Sequence, residues 1–453
     1  MMIIKRPLES VVVIDRQGDM GVFDTMNDAI ESAHIAQKEY SKYNISKREE
    51  IIESFKNELR NHIEELSMMT YNETGMGRYE DKILKNKLAL DKTPGVEDLN
   101  IIDSEGNNNG SFYELAPFGV IGAIAPSTNP TETIINNSIS MLASGNTVVF
   151  SPHPGAKKVS SYTVQLINSA IIKAGGPKNL VVTIKEPSTN NTNIMLKHEK
   201  VIMICATGGQ NIVKIALSSG KKTIGAGAGN PPVIVDETAD IEKAAKDIID
   251  GCSFDNNLPC IAEKEIIVIN KVANDLKKHM SKNLALEIKD KEILKRLERL
   301  LITKNGTLNK KYVGKNADYI MNSVGVKIDS NIKVIFVEVD KNHLFAQKEL
   351  MMPILPLIRV LNIDEAIKVA VELEHGNKHT AIMHSRSSEN LNKFTQAIDT
   401  TIFVKNAPSY AGIGYGTKCT STFTIAGPTG EGLTTAKTFA RKKKCVYADS
   451  IAN

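Results

Sequence analysis

Cys260 ends the run Phe254–Cys260 (FDNNLPC), a polar turn between a helical pattern and the apolar strand starting near Glu265. A thiol just outside a strand end, beside backbone donors, is placed as a thiolate nucleophile would be. A small buried filler is the other reading of such a cysteine. Cys205 lies inside the apolar stretch VIMICA and reads as core, while Cys252, Cys419 and Cys445 have no comparable setting. Three loops could cradle phosphate: Ala125–Glu132 (APSTNPTE), Thr207–Asn211 (TGGQN) and Gly225–Pro232 (GAGAGNPP). The first two stand between a strand and a helix, where backbone N–H groups and the positive helix end attract anions. No GxGxxG run opens a helix, so an ordinary dinucleotide fingerprint is missing.

The elements that must position these residues alternate. Val120–Ile124, Thr147–Phe150, Leu180–Ile184, Val201–Cys205 and Pro232–Val235 read as strands, with helices over Thr131–Leu142 and Lys157–Ala174. A second block has strands at Glu265–Ile269, Lys333–Val337, Ile354–Val360, Thr380–His384 and Thr401–Val404. Helices are expected there over 271–287, 289–300, 364–374 and 387–398. Such alternation predicts an α/β fold with mostly parallel sheets covered on both faces. Two amphipathic helices precede it. In the second, Ser46 and Glu49 suggest a capping box, and Ile51, Ile52, Phe55, Leu59, Ile63 and Leu66 one apolar face. The last strand, Lys444–Ala448, has no partner nearby in sequence and could pair with another subunit or with its own domain.

Composition narrows the class. The chain has 453 residues, 42% hydrophobic and 24% charged, with a net charge of +4. That is the balance of a globular protein large enough for two or three domains. The charge is too small to suggest nucleic acid, and no apolar run approaches the roughly 20 residues of a membrane helix. Five scattered cysteines form neither a disulfide framework nor a CxxC pair. No metal site is expected, and a cytoplasmic, reducing setting fits.

PFGVIGAIAP at 117–126, ASGNTVVF at 143–150, ATGG at 206–209, the Cys260 turn and Glu349–Pro353 (ELMMP) resemble the aldehyde dehydrogenase superfamily in order and spacing. PSTNPTET, SPHPGAKK, GAGAGNPPVIVDETAD, SFDNNLPC, GPTGEG and NETGMGRYEDK are similar to its coenzyme A-acylating branch. That branch includes the acetaldehyde and propionaldehyde dehydrogenases of bacterial microcompartments. The resemblance implies a Rossmann-like cofactor domain over 1–227, a catalytic domain over 228–425 and a C-terminal segment over 426–453 that returns to the cofactor domain. A small oligomerisation element would include residues near 105–120 and the terminal strand. It further implies an oxidoreductase taking a short-chain aldehyde, coenzyme A and NAD to acyl-CoA, reversibly, through a Cys260 thioester. A hydrolytic dehydrogenase giving the free acid is the nearer alternative, and a non-catalytic structural protein the distant one.

Carried over residue by residue, Cys260 is the nucleophile and Glu349 the carboxylate that holds a cofactor ribose. Ser127, Thr128, Asn129, Pro130, Thr131, Ser151, Gly209 and Gly227 match positions lining the nicotinamide cofactor. Thr128 and Asn129 both remain candidates to hold the oxyanion. Hydrolytic relatives carry a glutamate base where this chain has Gly225. Water needs such a base, whereas coenzyme A brings a far more readily ionised thiol. Ser151 replaces the usual ribose-binding lysine, so NAD and NADP both stay open. His379 could polarise the thioester or help deprotonate coenzyme A, or it could simply pack the pocket. The run Arg441–Lys444 could meet coenzyme A phosphates, though it reads first as a solvated basic face. A homo-oligomer, dimer or tetramer, is implied, and association with a microcompartment shell is left open. Ile3, Ile4, Leu8, Val11 and Val12 are at most a short remnant of an encapsulation helix, interrupted by Pro7.

Overall fold

Val120–Ala125, Thr147–Pro152 and Glu265–Ile269 are buried along their whole length, which strands achieve only inside parallel sheets covered on both faces. The computed structural model describes residues 18–99 and 111–446. It contains two such sheets. The first runs Val22–Phe23, Val181–Ile184, Thr147–Pro152, Val120–Ala125, Val201–Thr207, Lys222–Ala226. The second runs Ala285–Glu287, Val334–Glu338, Ile354–Val360, Glu265–Ile269, Pro232–Val235, Thr380–His384, Ile402–Lys405. Every pairing within both is parallel.

In the first sheet the chain fills positions to one side of Val120–Ala125, then crosses back to place Val201–Thr207 on its other side. A crevice opens at the carboxyl ends of strands where the order reverses in this way. The loops after Ala125 and Thr207 flank that crevice. The helix Pro130–Ala143 leaves it with Pro130 in its first turn, where proline's missing N–H costs nothing, and all its residues are buried.

Several details differ from the sequence-based expectation. The second amphipathic helix is two, Ile45–Asn61 and Ile63–Thr74, broken at His62. Asn44, not a Ser46–Glu49 box, caps the first of them by accepting from the Lys47 N–H at 2.9 Å. Ser46 comes two residues too late to cap, being already inside the helix. The expected apolar face survives the break, since Ile51, Ile52, Phe55, Leu59, Ile63 and Leu66 are all buried. The helix expected over 271–287 stops at Lys282. Leu284 then takes a left-handed φ of 67°, and Ala285–Glu287 becomes an edge strand.

The terminal strand finds its partner far upstream. Ala440–Val446 pairs antiparallel with Ser111–Pro117, Ala440 opposite Pro117 and Val446 opposite Ser111. Residues 447 and 448, the proposed N-terminal remnant with Ile3 and Leu8, and 105–110 lie outside the described residues. Ahead of the ribbon the chain packs on the first block. The Ser144 hydroxyl donates to the Ala436 carbonyl at 2.7 Å, and the Asn146 amide to Phe439 at 2.8 Å. Among the described residues no helix is long and apolar enough to cross a membrane.

Each sheet carries its own apolar core. Phe336, on Val334–Glu338, is fully buried in the second. Phe336→Ala should therefore lower stability by about 3–5 kcal/mol, the usual cost of emptying an aromatic site. A urea midpoint unchanged from wild type would refute that placement.

Candidate active site around Cys260

A cleft of about 570 Å³ lies between the first sheet's carboxyl edge and the cysteine turn. Ser127, Thr128 and Asn129 line it from the first loop, Gly209 from the second and Gly227 from the third. Ser151 lies on its wall with its hydroxyl 2.8 Å from that of Thr192. Cys260, Glu349 and His379 come from the second block. Pro130 and Thr131 do not reach the cleft. They are buried in the first helical turn, where the Thr131 hydroxyl donates to Glu132 at 3.1 Å. The motif is contiguous, but a helix turns successive side chains about its axis, so the residues just before it face the cleft. Asn129 and Gly209 each precede a helix without a side-chain cap bond. Two helix N-termini thus open on the cleft, a setting that fits the phosphates of a dinucleotide or of coenzyme A.

The cysteine turn is built on three successive left-handed residues, Asp255, Asn256 and Asn257, with φ of 47°, 55° and 66°. Asp and Asn tolerate this region better than other side-chain-bearing residues. Each is held by its side chain. Asp255 accepts from the Arg78 N–H at 2.7 Å and forms buried pairs with Lys85 at 2.6 Å and Lys82 at 3.1 Å. The Asn256 amide donates to the Gly314 carbonyl at 2.9 Å and to Asn316 at 2.7 Å. The Asn257 amide donates to the carbonyls of Cys252 and Glu263, and its own carbonyl groups accept from the buried Lys264 at 2.9 and 2.7 Å. Gly77 (φ 78°) passes so close that a Cβ there would sit 2.0 Å from an Asp255 oxygen.

Lys82 and Lys85 were not singled out from sequence. NETGMGRYEDK carried the family likeness, but nothing local says that two lysines of a polar helix point inward. Lys85 also donates to Asn129 Oδ1 at 2.7 Å, and Asn129 Nδ2 stands 3.3 Å from the Thr128 hydroxyl.

Burial, then the Glu349 carboxylate, pushes the Cys260 thiol up to about 12, while Lys264, its own N–H and Lys85 pull the other way. Glu349 is itself raised by burial, against Lys264 and the Gly229 N–H. His379 is pulled down to about 4 by burial and then by Lys264, so its ring is neutral near pH 7. Nδ1 lies 2.9 Å from the Thr380 hydroxyl, and Nε2 has no hydrogen-bond partner. Gly229 is wedged beside both groups: a Cβ on it would come within 2.9 Å of the Cys260 carbonyl oxygen and of the His379 ring. Gly225 is buried outside the cleft lining, its N–H donating to the Thr429 hydroxyl at 3.2 Å. A Cβ there would meet a Val213 methyl at 2.8 Å.

The profile of the aldehyde dehydrogenase family matches residues 19–297. A propanal dehydrogenase (CoA-propanoylating) of Citrobacter freundii is 47% identical over 95% of this chain and 94% of its own length. A Rhodopseudomonas palustris propionaldehyde dehydrogenase, solved with bound CoA and an acylated cysteine, superposes with a TM-score of 0.93 at 55% identity. That match covers 95% of this chain and 98% of the other. A propionaldehyde dehydrogenase from the fucose utilisation bacterial microcompartment of Clostridium phytofermentans gives the same TM-score at 50% identity, covering 96% and 99%.

Gly77→Ala should lower stability by more than about 1 kcal/mol, because its left-handed backbone and the Asp255 carboxylate both exclude a methyl group. Thermal melting measures the loss, and a variant melting like wild type would place the Asp255 contact elsewhere.

Proposed function

Because the chain belongs to the aldehyde dehydrogenase family, we propose that the cleft at Cys260 is its acyl-transfer site. The enzyme converts a short-chain aldehyde, coenzyme A and oxidised nicotinamide cofactor to acyl-CoA and reduced cofactor, and runs in reverse. The observation that carries this reading is a thiol beside a cleft with two uncapped helix N-termini, in which Glu349 is the sole carboxylate among the described lining residues.

Cys260, its thiol proton released to solvent in the cleft, adds through Sγ to the aldehyde carbonyl, and the resulting oxyanion takes hydrogen bonds from the Cys260 N–H and Asn129 Nδ2. Asn129 is favoured over Thr128 because its Oδ1 is already committed to Lys85, leaving Nδ2 as a donor. When bound, the nicotinamide ring accepts the hydride, and coenzyme A supplies the thiol that receives the acyl group. Collapse of the oxyanion expels hydride and leaves a thioester on Cys260. Thiolate attack on that thioester releases acyl-CoA and returns the electron pair to Cys260 Sγ. Glu349 is assigned to the cofactor ribose. His379, neutral and with Nε2 free of partners, is assigned to hydrogen bonding at the thioester.

Hydrolysis to the free acid is the rival chemistry. Its base would occupy position 225, where the chain has no carboxylate and a Cβ would already press on the Val213 methyl at 2.8 Å. Residence in a bacterial microcompartment is a further reading, supported by the Clostridium phytofermentans relative. A dimer or tetramer is inferred from the ribbon Ser111–Pro117/Ala440–Val446, whose strands pair only with each other among the described residues. Gel filtration at micromolar concentration should show an oligomer, and a monomer would remove that inference.

The acyl-transfer reading has a direct test. Mixing wild type with propionaldehyde and oxidised cofactor, without coenzyme A, should leave an acyl adduct on Cys260 that mass spectrometry detects. Coenzyme A should then discharge it to acyl-CoA, and Cys260→Ser should form no adduct while melting like wild type. Sustained production of reduced cofactor and free acid without coenzyme A would favour hydrolysis instead.

A further inference from the structure

Lys85 is completely buried, yet its ammonium meets side-chain acceptors on three residues from two distant segments, and the Thr128 carbonyl at 3.4 Å. Its ammonium pairs with Asp255 Oδ2 at 2.6 Å and Glu132 Oε1 at 3.1 Å, and donates to Asn129 Oδ1 at 2.7 Å. Asp255 heads the turn that carries Cys260, while Asn129 ends the loop on the opposite wall of the cleft. We propose that Lys85 is a positioning residue that sets which end of the Asn129 amide faces the reacting carbonyl and holds that amide in register with the cysteine turn.

The argument is one of donors and acceptors. An asparagine side chain of nearly symmetric shape can sit either way round, presenting NH₂ or oxygen to the cleft. An ammonium has three donors and no acceptor, so only Oδ1 can face it. Nδ2 is then turned away from Lys85: one of its two hydrogens goes to the Thr128 hydroxyl at 3.3 Å, and the other is available to a developing oxyanion. The opposite orientation would aim a carbonyl oxygen at that oxyanion and raise the barrier. Lys85 stays charged: burial lowers its pKa, but Asp255 and Glu132 more than offset this and bring it to about 12. Burying such a group adds little net stability compared with an apolar replacement, so its use here is orientation and register. Lys82 also pairs with Asp255, at 3.1 Å, and keeps that carboxylate partnered when Lys85 is removed.

The proposal rests on the acyl-transfer chemistry assigned to Cys260 and Asn129, and a double-mutant cycle on single-turnover hydride transfer tests it. Asn129→Ala should slow that step about 100-fold, as loss of one oxyanion donor does. Lys85→Met should slow it at least about tenfold without moving the KM for cofactor, and in the Asn129→Ala background it should cost less than about threefold more. Losses that multiply, or a raised cofactor KM at unchanged rate, would overturn the proposal and leave Lys85 a purely structural residue. Should Lys85→Met fail to show a cooperative melt, Lys85→Arg runs the same cycle. Its bulkier planar cation cannot place donors on all three acceptors at once, so a full-rate arginine variant or multiplying losses would then overturn it. The wild-type acyl adduct separates the two readings: no adduct removes the acyl-transfer assignment, whereas adduct formation with multiplying losses removes only the role of Lys85.

Discussion

The Asp255 carboxylate, wholly buried and clasped by two equally buried lysine ammoniums, is the interaction on which the site depends. It begins a turn of three left-handed residues, a conformation costing on the order of 1–3 kcal/mol per residue. Such a turn persists only where its surroundings over-determine it. Here they do: Arg78, Lys82 and Lys85 hold Asp255, Gly314 and Asn316 hold Asn256, and Lys264 holds Asn257. Lys82 and Lys85 are spaced i, i+3 on the helix Tyr79–Lys92, so one face meets the turn. The thiol's position is thereby fixed by a helix from the N-terminal part of the chain, and the two walls of the cleft share a common anchor.

The remainder of the architecture gives the cleft its two characters. Parallel sheets place helix N-termini, with their unsatisfied N–H groups, at the carboxyl edge where the strand order reverses. That end suits phosphates. The other end is closed by Gly229, His379 and Glu349 packed around Cys260, where the scarcity of water raises the thiol's pKa and keeps the imidazole neutral. One cleft therefore holds an anion-seeking end and a desolvated end at the thiol.

Much of this was legible in the sequence. Val120–Ile124, Thr147–Phe150 and Pro232–Val235 are apolar runs without alternation, the mark of strands buried on both faces, and the structure has strands there. The loops after Ala125 and Thr207 were found by their place between strand and helix. What was not legible involves distance along the chain. Lys82 and Lys85 look like solvated helix positions, because the carboxylate that draws them inward is 173 residues away from the first of them. The partner of the terminal strand is more remote still. Local misreadings have local causes: Ser46 fits a capping pattern, but Asn44 gets there first, and Leu284 breaks its helix without a glycine or proline to announce it. Pro130 and Thr131 were read as lining the cleft from a contiguous motif, although a helix's first turn already rotates them out of it.

The crowding at Gly225 bears on how such an enzyme could change. The Val213 methyl lies 2.8 Å from where a Cβ would be, and the Thr429 hydroxyl holds the backbone N–H from a distant segment. A codon change to glutamate would meet an occupied site, so a water-activating carboxylate could arrive only after Val213 and the Thr429 turn had given way. A carboxylate at this position would therefore need room made for it by its neighbours, a cost in packing that comes before any gain in reactivity.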